Sequence, residues 1–384
     1  MNNIPYGRQS VDRSDIAEVT KVLRSDWLTQ GPKIAEFEKA LCAYTGAKYA
    51  VAVSSGTAAL HIASLTAGLK RGDEVITSPI TFVASANCAL YCGTRPVFAD
   101  VSPETANIDP EEISKRITRR TKVIIPIHFA GHPCDLAEIA GIARKKNVMV
   151  IEDAAHALGA KYKGSRIGSC KYSDMTIFSF HPVKTITTGE GGVVLTNSEK
   201  LYRALLLFRN HGITKDGSLM DRTMRGCGWY YEMHDLGFNY RITDIQAALG
   251  VSQLKKADQF VEKRRSIAAL YNDAFAGNEF FDIPIEKDEA YSACHLYPIQ
   301  LKDGCMKRRK DIFALLRNNG VGVQAHYIPV YTHPYYRKLG YKRGTCPNAE
   351  DYYRREISLP IYPDLKVAQA RYVTDTIFKV CNRI

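Results

Sequence analysis

Short apolar runs alternate with longer amphipathic stretches over the first two thirds of the chain. Apolar runs of about four to six residues between turn residues predict buried strands, and apolar positions at helical spacing predict helices. Strands are predicted at Tyr49–Val53, Glu74–Thr77, Pro96–Asp100, Lys122–Ile127, Val148–Ile151, Asp174–Ser179 and Val193–Thr196. Helices are predicted at Ile16–Leu23, Ile34–Tyr44, Thr57–Ala67, Phe82–Tyr91, Leu136–Lys145, Glu199–Phe208, Ile245–Leu254 and Ala257–Phe275. This alternation indicates an α/β fold with a mostly parallel central sheet and helices on both faces.

The long helix Ala257–Phe275 is predicted to lead out of that alternation. The segments after it, one strand, one extended segment and three helices, are predicted at Ser292–Gln300, Val323–Val330, Lys307–Asn318, Asn348–Glu356 and Lys366–Lys379. With 384 residues, 45% of them hydrophobic, the chain can bury a large core. We therefore predict a large α/β domain over residues 1–255 and a smaller C-terminal α+β domain over residues 256–384.

Composition narrows the class of protein. No stretch approaches the roughly 18 consecutive apolar residues of a membrane span, and the sequence begins without the charged and apolar regions of a signal peptide. The ten cysteines are scattered and never form a C-x-x-C pair, which favours reduced thiols over a disulfide framework or a zinc site. We expect a cytoplasmic protein that does not bind a membrane.

The net charge of +12 has two interpretations. A basic protein can bind nucleic acid, but the 52 Lys and Arg residues are spread along the chain, and the longest basic block is Lys307–Lys310. A smaller anion, such as a phosphorylated cofactor or a nucleotide sugar, fits the charge as well. We therefore expect no nucleic-acid partner.

Lys184 lies just after the predicted strand Asp174–Ser179, within a turn rich in glycine that leads to the next strand. A lysine amine that is desolvated by its surroundings has a lowered proton affinity and can attack a carbonyl to form an imine. A lysine in a loop is more often exposed to solvent. The chemical interpretation of Lys184 therefore depends on its neighbours in the fold.

Asp153 lies at the end of the run Val148–Asp153, which contains another predicted strand, and is followed by Ala154, Ala155 and His156. Because ligands of parallel sheets bind where strands end and helices begin, this acid is placed for function. It could be a metal ligand, a helix cap or the partner of a protonated ring nitrogen. Metal binding would need more ligating side chains nearby, so we expect no metal, and the alanines leave room for a flat molecule.

The turn Ser55-Gly56-Thr57 joins a predicted strand to a predicted helix. Free backbone N–H groups and the helix dipole make such a turn an anion site, although the same residues also serve as an ordinary helix cap. Phe82 begins the next predicted helix, either as a core side chain or as a ring stacked on a flat cofactor. Trp27 and Thr29 lie in a loop that either packs on the body of the protein or touches a ligand.

Together these residues describe a site for pyridoxal 5′-phosphate. Lys184 would carry the aldehyde of the cofactor as an imine, and Asp153 would keep the pyridine nitrogen protonated. Thr57, the N–H group after it and Ser179 would bind the phosphate.

In these segments the sequence resembles the DegT/DnrJ/EryC1/StrS sugar aminotransferases, from about residue 4 to residue 379. The resemblance is carried by Ser55–Leu60, Glu152–His156, Ser179–Lys184, Gly189–Gly192 and Gly237–Arg241. It implies a fold-type I, aspartate aminotransferase-like transferase in which Gly56, Thr57, Ala58 and Ser179 bind the cofactor. It also implies that Phe82 stacks on the pyridine ring and that His156 lies near Asp153. Asn239 would reach the phosphate of a partner subunit, which makes the active unit a homodimer.

Within the family, the sequence is most similar to the C4″-aminotransferases of pseudaminic acid synthesis. These use a UDP-linked 4-keto-6-deoxy-N-acetyl-hexosamine and give UDP-4-amino-4,6-dideoxy-N-acetyl-β-L-altrosamine. The likeness implies a sugar site formed by Tyr6, Asp26, Trp27, Leu28, Thr29, Ser179, Asn239, Ala325, His326, Tyr327 and Ile328. Gly56 stands where this subgroup has alanine, which leaves the substrate contact at that position open.

The resemblance implies L-glutamate as amino donor, 2-oxoglutarate as its product and pyridoxamine 5′-phosphate as the intermediate form of the cofactor. Lys184 would act as general base and acid, and two half-reactions in one site would give ping-pong kinetics. Three alternatives stay open. One is another keto sugar, such as GDP-4-keto-6-deoxymannose, a UDP-bacillosamine precursor or a dTDP-3-keto sugar. The second is the dehydratase branch of the family, in which histidine replaces the imine lysine, and Lys184 argues against it. The third is a non-catalytic regulator.

Overall fold

The computed structural model describes residues 3–224 and 226–383. The α-helices are α1 Arg13–Leu23, α2 Pro32–Thr45, α3 Gly56–Thr66, α4 Ala84–Tyr91, α5 Pro110–Arg116, α6 Leu136–Lys146, α7 Glu199–Arg209, α8 Asp244–Leu254, α9 Ala257–Phe275, α10 Asp303–Met306, α11 Arg309–Asn318, α12 Pro334–Lys338, α13 Pro347–Arg355 and α14 Val367–Cys381. The strands are β1 Tyr49–Val53, β2 Glu74–Thr77, β3 Arg95–Phe98, β4 Thr121–Ile125, β5 Met149–Asp153, β6 Lys161–Tyr162, β7 Ser165–Arg166, β8 Met175–Ser179, β9 Gly192–Thr196, β10 Ile213–Thr214, β11 Glu232–Met233, β12 Phe281–Asp282, β13 Ala290–Tyr291, β14 Tyr297–Leu301 and β15 Glu356–Leu359.

The central sheet has seven strands in the order β1-β9-β8-β5-β4-β2-β3. Strand β9 runs antiparallel to both of its neighbours, whereas the pairs β8-β5, β5-β4, β4-β2 and β2-β3 are parallel. The strands are buried nearly throughout, as expected for a sheet covered on both faces. The predicted α/β fold with a mostly parallel sheet is confirmed.

Several parts of the secondary structure differ from the sequence prediction, among them the short helices α10 and α12 and the two-residue strands, which were not predicted. Helix α5 was not predicted, although Asp109 caps it and Pro110 occupies its first turn. The predicted strand Ser292–Gln300 begins only at Tyr297, because Cys294 has a left-handed backbone with φ of +46°. Helix α13 ends at Arg355, so Glu356 begins a strand and not the end of a helix.

The apolar side chains form more than one cluster, and helix α9 contributes to two of them. Its first half places Phe260 and Val261 in the core beneath the central sheet. Its second half places Ile267 and Tyr271 in a core that surrounds the three-stranded sheet β12-β14-β15. Ile4 also lies in this second core. The division into domains at residue 255 stays a prediction, since helix α9 begins just after that point and is shared.

Within the described ranges, no helix is both long and apolar enough to cross a bilayer. In the same residues, no group of three or more His, Cys, Asp or Glu side chains is arranged to hold a metal ion.

Candidate active site

The carboxyl ends of β1, β5 and β8 point to the same edge of the central sheet. Asp153 is the last residue of β5 and Ser179 the last residue of β8, whereas Gly56 begins helix α3 shortly after β1 ends. The parallel register pairs Asp153 with Ile177, two residues before Ser179. The topology therefore places these predicted site residues along one edge, although they are far apart in sequence.

The first turn of α3 forms a cradle for an anion. Ser55 caps the helix, with its hydroxyl accepting from the Ala58 N–H at 3.1 Å. The N–H groups of Gly56 and Thr57 have no hydrogen-bond acceptor among the described residues. A Cβ added to Gly56 would lie 2.8 Å from Ser179 Cβ and 3.0 Å from Ser179 Oγ. Ser179 is therefore packed against this turn, and its hydroxyl can join the N–H groups in binding a phosphate.

Asp153 is buried and held by two hydrogen bonds. Its Oδ2 accepts from the Ser85 hydroxyl at 2.6 Å, and its Oδ1 accepts from the Ala155 N–H at 3.1 Å. No cationic nitrogen of the described residues lies within ion-pair distance of it. A buried carboxylate without a cation is costly, so this site suits a ligand that brings its own positive charge, such as a protonated pyridine nitrogen.

Glu152, the neighbouring acid on β5, points away from this site because successive strand residues face opposite sides of the sheet. His128 Nδ1 accepts from the Cys134 N–H at 3.0 Å, so His128 Nε2 carries the proton and donates to Glu152 at 2.9 Å. Glu152 also accepts from Thr176 at 3.2 Å. Glu152 thus belongs to a buried structural network, and Asp153 alone remains for a ligand.

Lys184 lies in the turn between β8 and β9, where its N–H donates to the carbonyl of His181 at 2.9 Å. Burial is the main cause that lowers the pKa of Lys184 to about 8. Attraction to Asp153 opposes this shift, and repulsion by Arg264 adds to it. Far more of the amine is therefore neutral near pH 7 than for a solvated lysine, and the neutral form is the nucleophile.

Phe82 precedes helix α4 and is 60% exposed, which is unusual for a phenylalanine. It lies one helical turn before Ser85, the residue that donates to Asp153, and Thr81 and Ser85 are joined by a hydrogen bond of 2.8 Å. Phe82 is thus available to a ligand near Asp153. Its predicted stacking on the cofactor stays a prediction.

A second set of side chains reaches the site from the C-terminal third of the chain. The hydroxyl of Tyr327 lies 3.3 Å from His156 Nε2, and the rings of His156 and His295 are 4.2 Å apart. The ring of Tyr6 lies 5.6 Å from that of His326. The structure thus brings the predicted sugar-site segments around Tyr6 and Ala325–Ile328 together with His156.

These histidines are held neutral. Burial is the first cause that lowers the pKa of His156 and His295 well below its ordinary value. Burial, followed by the charge of Lys184, lowers the pKa of His326 to about 3. The imidazoles can therefore donate and accept hydrogen bonds in the site without adding charge to it.

Other predicted site residues make no hydrogen bond to Lys184 among the described residues of one chain. The loop Asp26–Thr29 is tied to the start of α8, where Thr29 bridges Thr243 and the Asp244 N–H donates to the Leu28 carbonyl at 3.0 Å. Trp27 and Leu28 are about half exposed. Asn239 is exposed and bridges Asn210. The predicted position of Asn239 at the phosphate of a partner subunit stays a prediction.

Three residues at the site were missed by sequence reasoning. Ser85 could have been found, because it lies one helical turn after Phe82 on the same predicted helix. His295 and Arg264 carry no local motif, and only the fold brings them near His156. Arg264 is buried and donates through Nη1 to the carbonyls of His295 and Ile361, but its Nε and Nη2 have no hydrogen-bond partner in the part of the chain that the structure describes.

The strand order of the sheet, a buried carboxylate without a cation and a buried amine of lowered pKa match one class, the fold-type I enzymes that use pyridoxal 5′-phosphate. Residues 9–378 match the DegT/DnrJ/EryC1/StrS aminotransferase family. The chain belongs to this family. It is a nucleotide-sugar aminotransferase, and its cofactor is pyridoxal 5′-phosphate.

Three proteins similar to this chain have names that refer to sugar metabolism. The spore coat polysaccharide biosynthesis protein SpsC of Bacillus subtilis is 42% identical over 94% of this chain and 93% of its own length. A UDP-4-amino-4,6-dideoxy-N-acetyl-β-L-altrosamine transaminase of Campylobacter jejuni is 40% identical over 99% of this chain and 98% of its own. The structure of Helicobacter pylori PseC, an aminotransferase involved in the biosynthesis of pseudoaminic acid, covers 100% of both chains with a TM-score of 0.93 and 34% identity. The predicted resemblance to this family is confirmed.

Proposed function

We propose that the protein moves the amino group of L-glutamate to C4 of a UDP-linked 4-keto-6-deoxy-N-acetyl-hexosamine. The product would be UDP-4-amino-4,6-dideoxy-N-acetyl-β-L-altrosamine, in the pathway to pseudaminic acid. The observation that carries the proposal is the contact of the segment His326-Tyr327 with His156 and Tyr6 beside the strand-end site. The activity named for the Campylobacter jejuni relative supports the choice of sugar.

Each part of the observed site has a proposed role toward the cofactor. The N–H groups of Gly56 and Thr57, which are unpaired among the described residues, would hold the phosphate together with the hydroxyls of Thr57 and Ser179. The predicted contribution of Ala58 would require its N–H to leave the Ser55 hydroxyl, to which it donates in this structure. Asp153, oriented by Ser85 and lacking a cation, would bind the protonated ring nitrogen, and the exposed ring of Phe82 would stack on the pyridine. When bound, pyridoxal 5′-phosphate draws electrons from the carbon that carries the amino group and holds this group between the two substrates.

Lys184 would move the proton. Its Nζ would hold the cofactor when no substrate is bound, and its neutral amine would take the proton from the α-carbon of glutamate. A pKa of about 8 keeps part of the amine in the basic form at neutral pH. Because His156 is buried and neutral, it can hydrogen-bond in the site without competing for the proton of Lys184.

We further propose that the active unit is a homodimer in the cytoplasm. Asn239 and the loop with Trp27 and Leu28 are exposed in the single chain, which supports a role for them at the site of a partner subunit. All ten cysteines are unpaired, as is usual in a reducing compartment.

The proposed function can be tested by following the visible absorbance of the cofactor-loaded protein through both half-reactions. Glutamate should remove the band, and the UDP-linked 4-keto-6-deoxy sugar should restore it while forming an amino sugar that mass spectrometry and NMR identify. The matched control is Lys184→Ala, which should show neither change. If glutamate removes the band and only a different nucleotide-linked keto sugar restores it, the proposed substrate is wrong although the chain is an aminotransferase.

A further inference from the structure

Glu356 is a buried carboxyl group that the reaction described above does not use. It begins strand β15 and lies beneath the segment that carries His326. Its Oε2 accepts from the backbone N–H of His326 at 2.8 Å, and its Oε1 is 2.5 Å from the hydroxyl of Ser358. The same hydroxyl lies 2.8 Å from His326 Nδ1. A continuous hydrogen-bonded chain therefore joins Glu356 to the imidazole through Ser358.

The other nitrogen of His326 is available to a ligand. No hydrogen-bond partner for Nε2 exists among residues 3–224 and 226–383. The ring centroids of Tyr6 and Tyr327 lie 5.6 Å and 4.8 Å from that of His326. Because Tyr327 also reaches His156, Nε2 belongs to the sugar side of the active site. This assignment rests on the proposed function.

We propose that Glu356, acting through Ser358, decides which nitrogen of His326 carries the proton and so whether this histidine offers the nucleotide sugar a hydrogen-bond donor or an acceptor. The Ser358 hydroxyl has one proton, so it can donate to only one of its two neighbours. Glu356 and Ser358 are positioning residues in this scheme, because they act on the substrate only through His326.

Two arrangements of the protons satisfy every hydrogen bond between Glu356, Ser358 and His326. When Glu356 is ionised, Ser358 donates to the carboxylate, His326 Nδ1–H donates to Ser358, and Nε2 is left as an acceptor. When Glu356 is protonated, its O–H donates to Ser358, Ser358 donates to Nδ1, and the imidazole proton lies on Nε2, which becomes a donor. The two states differ by the single proton on Glu356, and the imidazole stays neutral in both.

Glu356 gains or loses the proton that separates these two states within about one pH unit of neutral pH. Burial raises the pKa of Glu356 to about 8, and the bonds from Ser358 and His326 together with the charge of Arg309 oppose the rise. Arg309 also donates to the backbone carbonyl of Glu356 at 2.8 Å. The titratable side chains that face the carboxyl are Arg309, His326, Tyr327 and Tyr352. Since burial raises the pKa of both tyrosines and lowers that of His326, Arg309 is the charged neighbour at neutral pH, and His326 is predicted to be a donor.

The direct test is the tautomer of His326, read by nitrogen NMR on the cofactor-loaded protein labelled with ¹⁵N-histidine. The signal is assigned by its loss in His326→Asn. The wild-type protein should carry the proton on Nε2 at pH 7 and on Nδ1 well above pH 8. Glu356→Gln keeps the shape. Because its amide oxygen is needed to accept from the backbone N–H of His326, its NH2 group faces Ser358 as a donor and should hold the Nε2–H form at every pH. Ser358→Ala should uncouple the tautomer from this titration, whereas Ser358→Thr keeps the hydroxyl and should preserve it.

The functional readout is the KM for the UDP-linked keto sugar. In the wild type it should change about tenfold between pH 7 and pH 9, the effect of turning one buried donor into an acceptor, and in Glu356→Gln this part of the change should vanish. The titration of Lys184 is common to both proteins, so only their difference reports on Glu356.

No tautomer change in the wild type, or an unaltered change in Glu356→Gln, would overturn the proposal. So would a tautomer change with no effect on KM. If the UDP sugar is not turned over at all, the NMR titration still decides the relay, so the failure of the proposed substrate is recognised separately.

Discussion

Replacing Gly56 by alanine tests the packing that shapes the phosphate cradle. The added Cβ would lie 2.8 Å from Ser179 Cβ and 3.0 Å from its Oγ, whereas ordinary contacts begin near 3.4 Å. The overlap involves the Cβ of Ser179, which no rotation about its side-chain bond can move. Either the first turn of α3 or the end of β8 must therefore shift by several tenths of an ångström.

This overlap sets the expected magnitude. Overpacking of a filled site costs about 1–3 kcal/mol, so Gly56→Ala should lower the free energy of unfolding by about this amount. The matched control is Gly141→Ala in α6, where an added Cβ meets nothing within 4 Å. That change should stabilise the protein by about 0.5–1 kcal/mol, because alanine is the better helix former. The two alanines thus have opposite predicted signs.

The assay is urea unfolding of both variants, together with titration of the apoprotein with pyridoxal 5′-phosphate. Gly56→Ala should also weaken cofactor binding, because the N–H groups of the cradle move with the turn. Combining it with Ser179→Gly removes the opposing Cβ and should restore most of the lost stability, although not the hydroxyl. The packing argument is refuted if Gly56→Ala behaves like Gly141→Ala, or if Ser179→Gly leaves its cost unchanged.

Three further predictions concern the site and its support. The rate at which the apoprotein captures pyridoxal 5′-phosphate, followed by its visible band, should rise with pH as Lys184 loses its proton and level off above pH 8, where an ordinary lysine amine would still be gaining reactivity. Ser85→Ala removes a hydrogen bond to the buried carboxylate of Asp153 and should weaken cofactor affinity about tenfold or more; Ser85→Thr keeps the hydroxyl, and an equal loss there would contradict the explanation. His128→Leu removes the donor to Oε2 of the buried Glu152 carboxylate, which keeps Ser173 and Thr176 as donors to Oε1, and should cost about 1.5–3 kcal/mol of stability in urea unfolding. Adding Glu152→Leu should recover part of it, and no recovery would rule out the charge as the cause.

The sequence predicted the secondary structure best where the local pattern of apolar residues agrees with the environment that the fold provides. The strands that end at Asp153 and Ser179 were predicted within a few residues, because buried parallel strands are short and apolar at every position. Helix α5 was missed because only seven residues follow its cap, too few to show a helical period. Glu356 was predicted at a helix end because its burial beside His326 is decided by residues far away in the chain.

The residues of the candidate site divide in the same way into those that the local sequence indicates and those that only the fold brings there. Lys184 and Asp153 could be predicted because their types and places at strand ends already suggest a cofactor, and the resemblance to a family supplied their predicted partners. His295 and Arg264 were not found, since a histidine or arginine that is buried by the fold has no signature in its own neighbourhood of sequence. The antiparallel direction of β9 was likewise not specified by its apolar pattern, which is the same for both directions.

Helix α9 has a consequence for any attempt to dissect the molecule. Its 19 residues span about 28 Å, and its two ends are rooted in different cores, through Phe260 at one end and Tyr271 at the other. A fragment that stops at residue 255 would leave a groove where Phe260 had packed, and the complementary fragment would carry that side chain into water. The two parts are therefore expected to fail as separate proteins. Because one helix packs in both cores, we expect the substrate to enter through movements of loops and not through a rigid rotation of the entire C-terminal part.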